Sequence, residues 1–410
     1  MRVCFISRRF FPAISGMSVY AANLLRELVE LGHDVTLVSQ YRDDAEGRGV
    51  YGGGPPPEVS GVRVIGLEAV GEREGGDFER DIEEMVEVVE REHRREPFDI
   101  LHAQYGYPTG LAALKASART GVPNLVSIQG GDGHWIGGCC GTHDRAMKAV
   151  LGHAGALLIG SRSFAEEVHE NHGVSPDIFT IIPGAVDTRR FYPAQEDEVG
   201  LVSGEPKLLY HGRVDARKGI LDLLKALAKL DARGRRGWRL VVSGIGPDVE
   251  EAQSLAAELG LADRTRFTGY AEYERTPEVY REAEVFVSPT HAEGFSNTIL
   301  EAMATGLPVV STRAVGVVDC LTDAENALLV EPGDSTALAE ALARVLDDAA
   351  LRRRISRKAL AEAREVYAWP AIARRIQTVY RSLAGTIPDT DWTLDGTVEP
   401  CRFRELPHLL

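Results

Sequence analysis

A chain of 410 residues with 44% apolar side chains can bury two or three cores, which excludes a disordered protein. Its 61 acidic against 46 basic residues leave a net charge of -15, which excludes a general nucleic-acid binder and gives no support for an anionic-membrane surface. The five cysteines suggest no disulfide framework and fit a reducing cytoplasm, and no run approaches bilayer-spanning length.

The first apolar run, 3–7, predicts a buried strand, too short for a signal peptide and followed at once by Arg8-Arg9. Leu24, Leu25, Leu28 and Leu31 share one face of a helix predicted over 20–31, which Gly32 closes. Strands follow at 35–39, 100–103, 124–128 and 156–159, with helical stretches between them. The basic run 91–95 reads as a solvated helix face. This is the βαβ rhythm of a parallel sheet covered on both faces. The polar segment 194–205, after Phe191-Tyr192-Pro193, reads as a linker. The rhythm then restarts, with strands at 207–212, 238–243, 265–268, 285–288 and 307–311 and helices at 221–230, 248–259, 277–282 and 298–305. A last helix is predicted over 371–383, and the Pro-, Asp- and Thr-rich remainder is either a strap over the first domain or a loose end.

Ligands of open parallel sheets sit beyond the carboxyl ends of strands, so the loops there hold the candidate residues. His211-Gly212-Arg213 ends a strand and Lys218-Gly219 follows in the same loop. A planar guanidinium and a point charge suit a diphosphate; the alternative is a pair of surface cations. The run from Pro289 to Asn297 leads into the helix at 298–305, with Ser296 or Asn297 as N-cap and Gly294 allowing close backbone approach. First-turn N–H groups favour anions, and Glu293 and Glu301 would accept hydrogen bonds from paired hydroxyls. The alternative is a capped helix with two surface glutamates, although Glu301 precedes the buried-looking Ala302-Met303-Ala304.

The loop after the first strand holds only Gly16, so the dinucleotide turn Gly-x-Gly-x-x-Gly is absent, which argues against a nicotinamide enzyme. Gln129, Asp132 and His134 lie among glycines after strand 124–128, either facing a cleft or as incidental polar residues of a turn. Cys139 and Cys140 lie between His134 and His143, but adjacent cysteines make an awkward chelate and no Cys-x-x-Cys is present, so an ordinary loop and no metal are expected.

The stretch Glu293-Gly294-Phe295-Ser296-Asn297-Thr298-Ile299-Leu300-Glu301, continued through Gly306-Leu307-Pro308, closely resembles the signature of the GT4 family of retaining glycosyltransferases. Pro183-Gly184-Ala185-Val186-Asp187, the Arg213/Lys218 pair and Gly244-Ile245-Gly246-Pro247 resemble further motifs of the family, and the likeness spans roughly residues 1–380. It implies the α/β GT-B fold, two Rossmann-like parallel-sheet domains facing across an interdomain cleft. Residues 1–193 would form the acceptor-side domain, 194–205 the linker and 206–370 the nucleotide-sugar domain, with 371–410 packing back on the first.

By resemblance, Arg213 and Lys218 bind the donor diphosphate and stabilise the leaving nucleoside diphosphate. Glu293 contacts donor-sugar hydroxyls, and Glu301 the ribose. Gly212, Gly294, Phe295, Ser296, Asn297 and Thr298 complete the donor site, and Gly16 lies near phosphate and acceptor. Many relatives carry a histidine where this chain has Gln129, so Gln129 is expected to supply a neutral hydrogen bond in its place, with His134 as the substitute candidate. Tyr105, Met17, Asp132 and His134 are candidate acceptor or sugar contacts, and Phe10, Phe11, Tyr107 and Trp135 offer rings near them.

The family needs no metal, and the nucleoside diphosphate sugar is a co-substrate rather than a cofactor. Attack and departure share one face, and the departing phosphate takes the acceptor proton. The expected activity is hexosyl transfer from a UDP-sugar, ahead of a GDP-sugar, to a hydroxyl of a small soluble or natural-product acceptor. The alternatives are a nucleotide-sugar epimerase of the same fold, transfer to a lipid or polysaccharide, and a non-catalytic binding protein.

Overall fold

The computed structural model describes residues 1–13, 15–42, 53–202 and 204–407. Two compact units account for the chain, one of Met1–Pro183 with Ile372–Leu410 and one of Gly184–Ala371. No described helix is long and apolar enough to cross a membrane.

The first unit is built on seven strands: β1 (Arg2–Ser7), β2 (Asp34–Tyr41), β3 (Val62–Glu68), β4 (Ile100–Gln104), β5 (Asn124–Ile128), β6 (Ala156–Ile159) and β7 (Phe179–Ile181). Their order is β3-β2-β1-β4-β5-β6-β7 and every pairing is parallel. Val3, Cys4, Phe5 and Ile6 are fully buried, as expected of a central strand with helices on both faces. The chain runs outward from β1 to β3 and then returns to β4, so the strand order reverses between β1 and β4. Loops leaving neighbouring strands diverge at such a reversal and open a crevice at the carboxyl ends.

The second unit repeats the plan with β8 (Lys207–His211), β9 (Arg239–Ser243), β10 (Thr265–Gly269), β11 (Val285–Ser288), β12 (Val309–Thr312) and β13 (Leu328–Val330). The order is β10-β9-β8-β11-β12-β13, again all parallel, with the reversal between β8 and β11. Leu208, Leu240, Val285 and Val287 pack with Leu223, Leu227 and Leu342 from the covering helices.

Three details depart from the sequence reading. Residues 184–193, assigned to the first domain, group with the second unit. The segment read as a linker is packed against that unit. Val199 is buried, and the Gly200 carbonyl accepts from Arg352 Nε at 3.3 Å. The buried Arg352 needs acceptors, and it finds the others in the carbonyls of Val345 and Leu346. The first long helix runs Gly16–Glu30, four residues earlier than its apolar period, because Ser15 caps it by accepting from the Ser18 N–H at 3.2 Å.

The tail is a strap on the first unit. Tyr380 hydrogen-bonds His102 Nδ1 at 2.6 Å, and Asp389 pairs with His153 at 2.8 Å. Glu399 accepts from the Gly141 N–H, and Arg404 grips Glu79 with two hydrogen bonds and donates to the Gly76 carbonyl. The basic run near Arg94 is offset by Glu90 and Glu92 on the same helix, which pair with Arg94 and Arg63.

Candidate active site

In the second unit the predicted cations and carboxylates meet at the carboxyl ends of β8 and β11, where the strand order reverses. The loop after β8 turns at Gly212, whose φ of 133° lies outside the range L side chains favour. The turn after β9 passes so close that a Cβ on Gly244 would sit 1.8 Å from the Gly212 carbonyl oxygen. The motif His211-Gly212-Arg213 is therefore seated on Gly244-Ile245-Gly246. His211 is half-buried, and desolvation pushes its imidazole down to about 4, so its neutral ring bonds Ser243 Oγ at 3.1 Å and meets the Tyr280 ring edge-on.

Lys218 ends a short 3-10 turn, and its Nζ lies 2.8 Å from Glu293 Oε1 and 3.2 Å from the Ala292 carbonyl. Arg213 Nε lies 3.5 Å from Asp215 Oδ2, and Asp215 also pairs with Arg217 at 2.8 Å. The Arg217 hydrogen bond holds the Asp215 carboxyl below the usual carboxylate range, so an ionised tether sits behind Arg213. Both cations are thus anchored by carboxylates and only partly exposed.

The helix Asn297–Ala304 begins directly after this cluster. Ser296 occupies its N-cap position, as expected, but its hydroxyl pairs with Thr298 Oγ1 at 3.2 Å and does not close on a first-turn N–H. That leaves the helix start available to an anion. Gly294 and Ser296 are buried, while Phe295, Asn297 and Thr298 are half-buried. Glu301 lies one turn further, where its Oε2 accepts from Tyr280 Oη at 2.7 Å. Burial pushes the Glu301 carboxyl up to about 7, opposed by the Tyr280 hydrogen bond and the Arg190 charge. Neither Tyr280 nor Arg190 was named from the sequence; each sits in an ordinary helix or turn pattern, and only the fold brings it to Glu301.

In the first unit the candidates cluster at the β1/β4 reversal. Gln104, the last residue of β4, accepts from Ser7 Oγ at 2.9 Å, and its Nε2 donates to the Met17 carbonyl at 3.0 Å and to Gln129 Oε1 at 2.9 Å. This bridge fixes Gln129 through its oxygen. Gly16 is exposed at the start of helix Gly16–Glu30, and a Cβ there would meet nothing within 4 Å. Gly16→Ala is accordingly expected to leave Tm unchanged. If substrate approaches this backbone, kcat/KM should fall about 10- to 100-fold from a displacement of the order of 1 Å. Thermal melts and steady-state rates on the same preparation separate the two.

Three of the candidates already hold partners within the chain. Asp132 is fully buried, and its carboxylate accepts from the N–H groups of Gly106 and Gly130 at 2.8 Å and of Gln129 at 3.1 Å. It shapes the loop, and a ligand would have to break these bonds to reach it. His134 is held by Glu167 at 2.7 Å and packs against Phe164 and Trp135. The Tyr105 hydroxyl accepts from the Gly131 N–H at 2.9 Å, and its backbone has a φ of 89°, a strained conformation at a strand end beside the candidate loop. Met17 contributes its carbonyl to Gln104 and keeps a half-buried side chain. Arg8, after β1, is spent on a buried ion pair with Glu72 at 2.9 Å.

Residues 15–185 match the profile described as Glycosyl transferase 4-like domain, and residues 192–361 match that of Glycosyl transferases group 1. The D-inositol 3-phosphate glycosyltransferase 2 of Catenulispora acidiphila is 30% identical over 366 residues, 81% of this chain and 82% of that one. The chain belongs to the group 1, GT4-type glycosyltransferases. Another relative of this glycosyltransferase is the MMP alpha-(1->4)-mannosyltransferase of Mycolicibacterium hassiacum, 28% identical over 93% of this chain and 98% of its own. The solved structure of sucrose-phosphate synthase from Thermosynechococcus elongatus superposes with a TM-score of 0.77 at 25% identity, covering 93% of this chain and 99% of that one. The glycosyltransferase thus has the GT-B class of α/β fold expected from its signature, with two Rossmann-like parallel sheets.

Proposed function

We propose that this glycosyltransferase moves a hexosyl group, with retention and without a metal at the donor site, from a nucleoside diphosphate sugar to a hydroxyl of a small soluble acceptor. A UDP-sugar is favoured over a GDP-sugar. The observation that carries this reading is the arrangement at the β8/β11 reversal: Lys218 and Arg213 held by carboxylates beside an open helix start, with Glu293 and Glu301 flanking it. Two cations and first-turn N–H groups supply the positive field that a departing diphosphate needs, in the place where a metal would otherwise act. In the step itself the C1–O bond to phosphate breaks, C1 bonds the acceptor oxygen on the same face, and the acceptor proton passes to the departing phosphate. Gln129 would donate to a donor-sugar hydroxyl. The relatives named for inositol 3-phosphate and for mannosyl transfer support a hydroxyl-rich acceptor such as a cyclitol or sugar.

The test begins with melts of the protein against UDP-, GDP- and ADP-sugars. A donor at 100 times its Kd stabilises by about 2.7 kcal/mol, which is several degrees in Tm. Cyclitol, cyclitol phosphate and sugar acceptors are then screened by mass spectrometry with the donor that shifts Tm, and the anomeric configuration of the product is read by NMR. Turnover that persists in chelator with an unchanged anomeric configuration is expected. An inverted product, or an epimerised nucleotide sugar formed without acceptor, overturns the reading.

A further inference from the structure

Outside the candidate active site, one side-chain cluster stands apart from the packing around it. Cys139, Cys140, His143 and Cys401 each present one ligand atom, and all four atoms lie within 4.8 Å of one another. Cys139 Sγ is 3.0 Å and Cys401 Sγ 3.5 Å from His143 Nδ1. All four residues belong to the first unit, and their role is independent of the donor-site assignments.

We propose that these residues form a structural zinc site of the Cys3His type, and that the ion fastens the C-terminal strap to the first unit. A tetrahedral zinc with Zn–S near 2.3 Å and Zn–N near 2.0–2.1 Å needs its ligand atoms about 3.5–3.8 Å apart. The observed cluster reaches that geometry by shifts of about an ångström or less. Two points of the sequence bear on this: His134 as well as His143 flanks the cysteines, and adjacent cysteines without a Cys-x-x-Cys make an awkward chelate. The fold answers both points. His134 is occupied by Glu167, and the fourth ligand comes from Cys401, more than 250 residues away along the chain. Cys139 and Cys140 precede the helix Gly141–His153, which places His143 in its first turn facing them.

Three thiolates, a neutral imidazole and a divalent ion would sum to one negative charge. Arg8 and Arg404 lie over the Phe78 ring against which His143 packs, each paired with a carboxylate, Glu72 and Glu79. The His143 ring is wedged between Tyr107, with centroids 4.6 Å apart, and Phe78, which fixes its orientation. Around the cluster the strap is held mainly by hydrogen bonds that Glu399 and Thr397 accept and Arg404 donates, so a metal would lock a segment with few apolar anchors.

The full chain, expressed with zinc in the medium and purified without chelator, should carry about one zinc per molecule by inductively coupled plasma mass spectrometry. Exchange with Co(II) should give the intense visible bands of a tetrahedral site and near-ultraviolet thiolate charge transfer. Cys401→Ser and His143→Ala should lose the ion, while Cys320→Ser, a buried thiol in the other unit, should keep it. Zinc removal should speed proteolysis after Leu383. If Cys401→Ser does not fold, Cys401→His keeps a ligand and should retain the cobalt spectrum. Zinc below about a tenth of an equivalent with no tetrahedral cobalt spectrum overturns the proposal. So does a disulfide between any two of the three cysteines in the freshly isolated protein, or retention of the ion by both Cys401→Ser and His143→Ala.

Discussion

Lys218→Ala is expected to lower kcat about 10²- to 10³-fold, the usual consequence of removing one preorganised donor from the place where charge develops. The corresponding 2.7–4 kcal/mol is, on the proposed mechanism, the work of the ammonium on the departing diphosphate. The same substitution removes only a partly exposed ion pair with Glu293, 2.8 Å long, whose contribution to folding is about 1 kcal/mol or less. That corresponds to a Tm change of roughly 2–4 °C. Stability and turnover are therefore expected to separate by orders of magnitude. Lys229→Ala is the matched control: it deletes the same charge, but Lys229 donates to Ser335 and Thr336 elsewhere in the unit. A second consequence follows from the pairing. Without Lys218, the Glu293 carboxylate faces the incoming diphosphate with its partner gone, so part of the loss comes from new repulsion. Adding Glu293→Gln to Lys218→Ala should then cost less than the two single losses combined. Steady-state kinetics on the four proteins gives the answer, with the fall in kcat rather than a rise in KM marking an interaction specific to the transition state. Turnover of Lys218→Ala within tenfold of wild type removes the residue from the departure step.

Much of this site was legible because its parts are local. Residues 293–301 form one turn and one helix, so their spacing in sequence is nearly their arrangement in space. Arg213 and Lys218 lie within one loop after a strand, and the alternation of apolar runs with helical periods makes that loop recognisable. Three of the four edge strands, β3, β7 and β13, were not legible, whereas β10 was. Val62–Glu68 is interrupted by the exposed Arg63 and Gly66, and Phe179–Ile181 and Leu328–Val330 are only three residues long, so each gives a weak strand signal. Contacts between distant segments were hidden for a different reason. Asp132 looks like a free carboxylate among glycines until β4 brings the Gly106 N–H to it. Cys401 sits in a tail without periodicity, and only the strap's path across the first unit delivers it to Cys139.

Glu301 was read as less than fully exposed from the apolar run beside it, and its burial has a consequence in pH. Donor affinity is expected to weaken as pH falls through about 7, and Glu301→Gln should remove that dependence. The ionised carboxylate accepts from two hydroxyls of a ribose, whereas the protonated form carries a donor in place of one acceptor site. Binding therefore favours the ionised form, and below the folded-state value a proton must leave first, at up to tenfold in Kd per pH unit. Titration of a UDP-sugar by calorimetry without acceptor, from pH 6 to 8.5, reads this directly, because its diphosphate has no group titrating in that range. At pH 8 the glutamine variant should bind about 10- to 150-fold more weakly, from loss of hydrogen bonds to a charged acceptor.

Folding responds with the opposite sign. The carboxyl sits at about 7 in the folded chain against an ordinary 4.5, so its contribution to stability is fully present below 4.5 and is lost as pH rises through 7. Glu301→Gln should then raise Tm by several degrees at pH 8 and by much less at pH 5, since the amide keeps the Tyr280 hydrogen bond without burying a charge. A variant that binds donor worse yet melts higher is the signature of a carboxylate held in the site for its ligand. Equal pH profiles for wild type and variant would sink the assignment of Glu301 to the ribose, because a carboxylate that only packs against Tyr280 would not couple its proton to the donor.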